Sequence, residues 1–419
     1  MSSPYLPDLQ DSPGLLDPLD PPGRISRRDF LFAALLAPAA FAFQGDARFI
    51  STVPLGTPGV TAPPFGRLLG AGLDARLFTD LSTLGDQSTI QSAIRNPQSA
   101  MLTAADRFFV RTAAPPLLPP ADRWSLSLGG LVETPASVPL HDLEARVGPA
   151  QRVLIECSGN ADQSNYGLMS TADWEGVPPI ALLDRVKPTA SSFRILVSGV
   201  DDMVTPSRTS ASGASWIFTR DELQRALLAV RMNGAALTRD HGFPVRLVVP
   251  GWYGCTCIKW VDRIDLVADE APATTQMQEF AARTHQPFDS REIASSLRAG
   301  NLLRARDFIP AAIDTAAMPV GVEKWLIGGR LAYRITGIIW GGSTPTNALA
   351  IRFKSNQAWA PVDNCAIPAS TLTWSLWSHT WRPDAPGRYQ IALKVNDPKI
   401  RTRRLDIFFY VREVVIDEV

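Results

Sequence analysis

Between residues 124 and 267 the apolar positions fall into short groups of two kinds. "WSLSLGG" (124–130) and "VDRIDLV" (261–267) alternate apolar with polar residues, the signature of a half-buried strand. "RVLIEC" (152–157), "SFRILVSGV" (192–200) and "VRLVVPGWYG" (245–254) are near-continuous apolar runs bounded by turn residues and predict buried strands. Helical spacing predicts helices opening near Leu140, over "IALLDRV" (180–186) and over "TRDELQRALLAV" (219–230), the last with a threonine cap and acids in its first turn. Residues 74–104 read as partly helical. "DRFFVRTAAPPLLPP" (106–120) reads as a short strand running into an extended, proline-rich segment. No βαβ unit of regular length and no glycine-rich phosphate loop occurs. This mixture predicts an α+β fold with a mixed sheet.

The pattern changes near residue 317. Beyond it come short alternating strands separated by glycine, proline and asparagine, with no helical spacing, which predicts an all-β, antiparallel sandwich. Trp340, Trp359, Trp374, Trp377 and Trp381 belong to this part and suit either a sandwich core or a dimer interface. The expected division is a leader over 1–45, an α+β domain over 46–316 and a β-sandwich over 317–419.

The leader has its own chemistry. Residues 1–24 are acidic and proline-rich, which predicts disorder. "SRRDFLFAALLAPAAFAFQ" (26–44) joins paired arginines to an apolar run from Phe30 to Phe43. That run is short of the roughly 20 residues a membrane span requires, and small residues follow. It predicts a twin-arginine export signal and a periplasmic or otherwise exported protein; an uncleaved helix or anchor is the other reading. Of 419 residues, Lys plus Arg number 41 and Asp plus Glu 41. A net charge of zero argues against nucleic acid as a partner, because such binders need a one-sided field. Four cysteines are too few for a disulfide scaffold. Cys255 and Cys257, one residue apart, would face opposite sides of a strand and so would not bond to each other.

Candidate chemistry concentrates in two stretches. "ECSGN" (156–160) places Cys157 at the end of a buried strand, beside a carboxylate and a glycine turn. It is either a small core residue or a thiolate at the mouth of a pocket. "MNGAALTRDHGFPVRLVVPGWYGCTCIKW" (232–260) sets His241, Arg246 and Lys259 among glycines and prolines that let backbone approach a ligand. Arg246 is suited to gripping a phosphate or carboxylate with parallel bonds and Lys259 to acting as a point charge.

Together these stretches resemble the two signatures of the sulfite oxidase family of molybdenum enzymes, and the carboxy-terminal strands resemble that family's immunoglobulin-like dimerisation domain. The resemblance covers nearly everything after residue 100. It implies a molybdopterin cofactor with molybdenum, Cys157 as the protein ligand to the metal, and a homodimer. It implies further that Arg111 lines the cofactor and anion site, and that Asp201, His241, Arg246, Cys257, Ile258 and Lys259 contact the pterin and its phosphate. Trp174 matches a tryptophan near the substrate pocket, though a core aromatic is equally consistent with its setting. A soft sulfur donor suits a redox metal already held by pterin sulfurs.

The chain departs from the family pattern in three places. Thr112 and Ala113 stand where the family has Asn-His, Ala161 and Asp162 where it has arginines, and no tyrosine follows Lys259-Trp260 at the family's interval. His285 or Phe280 occupies that last neighbourhood. His285 is a candidate proton-handling group, since histidine titrates near neutrality; its alternative is an exposed residue at a helix end. The function implied is oxygen-atom transfer, oxidising sulfite or a related small oxyanion or sulfur compound. Without a Cys-x-x-Cys-His haem motif, electrons are expected to pass to an external carrier such as a cytochrome c. A reductase of sulfoxide-type substrates and a cofactor-free binding protein are the competing readings. "KIRTRRLD" (399–406) is either a docking patch for an acidic redox partner or a charge-protected strand edge.

Overall fold

The computed structural model describes residues 46–419 apart from 58–60, 62, 87–100, 161–166, 202–206, 208–211, 289, 301–302 and 408–409. The predicted leader and signal (1–45) and the departures at Ala161 and Asp162 lie outside the described residues. Among the described residues the protein is mostly β. Its helices are short, Leu140–Glu144, Ile180–Leu183, Thr275–Glu279 and Ser290–Arg298. No described helix is long and apolar enough to cross a membrane.

Two five-stranded sheets build the first unit. In one, Ala235–Ala236, Leu227–Met232, Met169–Val177 and Gln151–Glu156 follow in that order, with Arg246–Val248 also paired to Leu227–Met232, all antiparallel. The other runs Ala136–Pro139, Ser125–Gly130, Val261–Val267, Arg194–Gly199, Ser215–Phe218. It is mixed, because Val261–Val267 is parallel to Ser125–Gly130 and antiparallel to Arg194–Gly199. The strands predicted at 124–130, 152–157, 192–200 and 261–267 are all present.

The helix predicted over 219–230 is absent. Thr219 and Glu222 do form the reciprocal cap, with the Thr219 amide donating to Glu222 Oε2 at 2.7 Å and the Glu222 amide to Thr219 Oγ1 at 3.2 Å. A turn follows, and Leu227–Met232 then runs as an interior strand, its residues Leu227 to Val230 all buried. A continuous apolar run paired on both sides outweighs the local helical spacing. The short strand expected near 106–111 is reduced to a single bridge between Val110 and Leu77.

Two further five-stranded antiparallel sheets make the second unit. Their orders are Ala47–Val53, Ala316–Ile327, Arg330–Trp340, Ser375–Trp381, Asn364–Cys365 and Ala360–Pro361, Leu349–Arg352, Gly387–Val395, Arg412–Ile416, Leu55–Gly56. The sheets share one hydrophobic core that includes Trp340, Trp374, Trp377 and Trp381. Residues 47–56 therefore pair with the carboxy-terminal sheets, whereas the sequence groups them with the first domain. Ala47–Val53 is largely exposed and is held by backbone pairing along Ala316–Ile327, so its apolar pattern gives no sign of its partner.

The strand Gln151–Glu156 lies between the two units. Val153, Ile155 and Cys157 belong to the first core, whereas Leu154 belongs to the second. Successive side chains of a strand point to opposite faces. Burial on both faces explains why this segment reads as a continuous apolar run.

Candidate active site

Cys157 follows directly on Gln151–Glu156, and its neighbours fix it. Its amide donates to the Leu168 carbonyl and its carbonyl accepts the Asn160 amide, each at 2.9 Å. The Asn160 side chain accepts from the Leu168 amide at 2.8 Å and donates to Glu156 Oε1 at 3.1 Å. The Gly159 amide points at Cys157 Sγ, 3.3 Å away. Glu156, Gly159 and Asn160 thus help aim the side chain of Cys157, a residue 6% exposed.

Sγ borders an open-mouthed cavity with about 810 Å³ of unfilled space, its mouth included. Arg111, Asp201, His241, Arg246, Ile258 and Lys259 line the same cavity, as do Cys255 and Cys257. The strand expected for 245–254 ends early: only Arg246–Val248 is strand, and Gly254–Thr256 is a 3-10 turn. Cys255 and Cys257 consequently face one cavity instead of opposite sides of a sheet, and all four cysteines are free thiols.

The far wall is cationic. Arg246 is 5% exposed and donates to the carbonyls of His241 (3.2 Å) and Cys257 (3.4 Å). Its guanidinium lies 5.0 Å from the Trp174 ring centre. Burial lowers its pKa to about 10, with Cys257 opposing. Lys259 donates to the Asp240 carbonyl at 2.8 Å and to that of Thr112. Burial, then Arg246, pushes its ammonium well below the usual lysine range. Gly242, at φ 105°, lets these residues close together, since a Cβ there would lie 2.8 Å from Arg246 Cβ and 3.2 Å from Lys259 Cβ. Asp201 accepts from the Gly213 and Ala214 amides at 2.9 and 3.2 Å.

His241 has both ring nitrogens engaged, Nε2 with the Phe108 carbonyl at 3.1 Å and Nδ1 with Thr238 Oγ1 at 2.7 Å. A carbonyl only accepts, so Nε2 carries the proton and Nδ1 accepts from the hydroxyl. Burial, followed by Arg246 and Lys259, lowers its pKa to about 4. The ordinary histidine value is about 6.5, so the unfolded chain takes up this proton first as pH falls. Stability is full above that value and falls as pH drops from about 6.5 toward 4, by about 2 kcal/mol between pH 7 and pH 5. Urea midpoints of the cofactor-free chain at the two pH values are expected to show this slope, and His241→Asn to remove it.

The near side, by Cys157, holds arginines. Arg111 Nη1 donates to the Leu73 carbonyl at 2.9 Å, and Arg76 Nη1 to the Arg111 and Ala75 carbonyls, both at 2.8 Å. Burial lowers both guanidinium pKa values, Arg76 to about 10 with Arg111 adding to the fall; a charge on Cys157 opposes each shift. Arg283 lies over the Phe280 ring at 5.9 Å, and its charge also acts on both arginines. Sequence reasoning passed over Arg76 and Arg283, because neither sits in a motif.

Two expected site residues are placed elsewhere. Trp174 is fully buried and outside the cavity wall. Its indole donates to the Val153 carbonyl at 3.2 Å and its ring meets Phe108 edge-on, so it is a core aromatic supporting Arg246 from behind. His285 is also outside the wall. Its Nε2 pairs with Asp314 at 3.1 Å, and burial lowers its pKa against the opposing pull of Asp314. Phe280 lines the cavity where the sequence offered His285 or Phe280. At the other departure, Thr112 and Ala113 contribute backbone: the Thr112 carbonyl accepts from Lys259 and the Ala113 amide donates to Gly72 at 2.8 Å. In the basic stretch 399–406, Arg403 is buried on Glu156, whereas the exposed Arg401 and Arg404 pair with Asp314 and Asp406.

The donor set fits an anionic, metal-bearing cofactor. Arg246 Nε is buried with no hydrogen-bond partner, and the acceptors of Arg246 and Lys259 are carbonyls. A phosphate would satisfy that wall. Among the described residues no cluster of three or more His, Cys, Asp or Glu is placed to hold a metal ion. A metal bound at Cys157 would have to bring further ligands with it.

Comparison with known proteins agrees. The family model for the oxidoreductase molybdopterin-binding domain matches residues 113–275. A nitrate reductase (NADPH) of Beauveria bassiana is 29% identical over 184 residues, 40% of this chain and 20% of that protein. A sulfite oxidase of Arabidopsis thaliana is 26% identical over 203 residues, 43% of this chain and 52% of that protein. The chain thus spans about half or less of the length of these relatives. The crystal structure of the sulfane dehydrogenase SoxCD from Paracoccus pantotrophus shares the fold, with a TM-score of 0.57 at 17% identity over 89% of this chain and 90% of that one.

Proposed function

From the membership of this chain in the sulfite oxidase family of molybdopterin-dependent oxidoreductases, we propose that it oxidises sulfite or a related small sulfur compound and passes the electrons to a separate cytochrome. The observation that carries the reading is one cavity lined by Cys157 together with Arg246 and Lys259. Arg246, Lys259 and the Asp201 loop would hold the pterin and its phosphate, with Cys157 Sγ as the chain's ligand to molybdenum. Bound there, that group supplies two-electron oxygen-atom transfer. The chain's own part is to bind and orient. His241 is neutral at pH 7 and keeps its proton on Nε2, so it shapes the phosphate wall without adding charge. Arg111, backed by Arg76, presents positive charge beside Cys157 for an oxyanion. Phe280 excludes water from that side and has no ionisable group.

Two of the relatives, a sulfite oxidase and a sulfane dehydrogenase, support a sulfur substrate, whereas the third is a nitrate reductase. The same reading includes export by the twin-arginine route and a homodimer formed through an immunoglobulin-like second unit. The test is to purify the full chain from a molybdopterin-producing host, measure molybdenum, and follow cytochrome c reduction with sulfite and with sulfane-sulfur donors. About one metal per chain and substrate-dependent reduction are expected. Folded protein without molybdenum would overturn the reading.

A further inference from the structure

Cys157 faces the cavity, so by strand alternation Glu156 faces the second unit. Glu156 is fully buried, and both its oxygens are engaged there. Arg403 Nη1 donates to Oε1 and Nη2 to Oε2, each at 2.7 Å, and the Trp340 indole donates to Oε2 at 2.8 Å. The remaining bond, from Asn160 to Oε1, comes from the cysteine loop itself. Arg403 is 8% exposed and is fixed in turn. It donates to the Tyr410 hydroxyl at 2.7 Å, and its guanidinium lies 5.3 Å from the Tyr253 ring centre. From the cavity side, Gly254 lies against the same peptide, where a Cβ would stand 3.2 Å from the Glu156 carbonyl oxygen.

We propose that Arg403 is a positioning residue for Cys157: through Glu156, the second unit sets the direction in which the sulfur enters the cavity. The proposal rests on the reading of Cys157 as the chain's ligand to the metal. Two parallel bonds fix a carboxylate in plane as well as in place. The next Cα along is only about 3.8 Å away, so a turn of the Glu156 peptide swings the Cys157 side chain with it. The second unit holds another buried pair, Glu323 with Arg334, on neighbouring strands of one sheet. Neither residue is among those lining the cavity, so the pair separates positioning from simple stabilisation.

The experiment uses the full chain with Arg403→Gln, Arg403→Lys and Arg334→Gln. In cofactor-free protein, folded by near-ultraviolet circular dichroism, alkylation of Cys157 by iodoacetamide is timed by peptide mass spectrometry. Arg403→Gln is expected to speed labelling of Cys157 about 10-fold, the effect of lowering the barrier to reaching the sulfur by about 1.4 kcal/mol. Arg403→Lys should fall between it and the native chain, and Arg334→Gln should keep the native rate. A native rate in folded Arg403→Gln, or equal acceleration by Arg334→Gln, overturns the proposal. If Arg403→Gln does not fold, Trp340→Phe removes one bond to Glu156 and is read the same way. In the loaded enzyme, the Mo(V) electron paramagnetic resonance signal should shift with Arg403→Gln and not with Arg334→Gln. A native chain without molybdenum would sink the functional reading, while the labelling rates would still decide the positioning role.

Discussion

Cys157→Ser is expected to fold as the native chain does and to lose all but about 1% of sulfur-substrate turnover, at the upper end of what loss of ligand orientation alone costs and beyond. The sulfur is buried and receives one amide bond, from Gly159. A serine oxygen takes the same place, accepts the same bond and removes little volume. The chemistry changes more than the shape, because a hard hydroxyl oxygen replaces a soft sulfur donor. Turnover per molybdenum, with the metal content and urea midpoint of the same sample, checks this. A variant keeping a tenth or more of native turnover would remove Cys157 from the chemistry.

Glu156→Ala is expected to cost about 3–5 kcal/mol, because it leaves the Arg403 charge buried without its carboxylate. Burial works against the Arg403 charge and Glu156 more than offsets it; with the carboxylate gone the guanidinium still stays protonated, so the variant buries an uncompensated charge. Removing both charges, as Glu156→Leu with Arg403→Met, leaves no buried ion and is expected to cost much less than the single change. Urea unfolding of Glu156→Leu, Arg403→Met and the double variant measures the coupling. A double variant as destabilised as the sum of the singles would show that the pair does not act as a unit.

What the sequence disclosed follows the range of the forces involved. Strands with local signals, such as Val261–Val267, were legible because alternation and turn residues lie within the segment. Leu227–Met232 was misread as helix because its longer strand partners, Met169–Val177 and Arg246–Val248, lie outside the segment, and the nearby third, Ala235–Ala236, is only two residues long. At the site, Cys157, Arg111, Asp201, His241, Arg246, Cys257, Ile258 and Lys259 were legible through the two motifs and the family likeness, and they line one cavity. Trp174 and His285 were carried over by position, and position does not reveal which way a side chain faces. Arg76 was invisible, since it reaches the site through the Arg111 carbonyl, a contact with no pattern in the side chains. Arg403 was seen only as part of a charged run, because its partner Glu156 is 247 residues away.

The pairing of Ala47–Val53 with Ala316–Ile327 fixes an order of events during synthesis. The early strand leaves the ribosome long before its partner exists, so for most of translation it has no template. Its sheet acquires that edge only when the last third of the chain has emerged. Contacts so distant in sequence form slowly, and the unpaired strand is open meanwhile to neighbouring nascent chains. Arg48, Ser51 and Thr52 suit a segment that must wait in water, whereas the exposed Phe49 and Ile50 add to its exposure to neighbours. The first described strand of the chain is thus among the last to find its place.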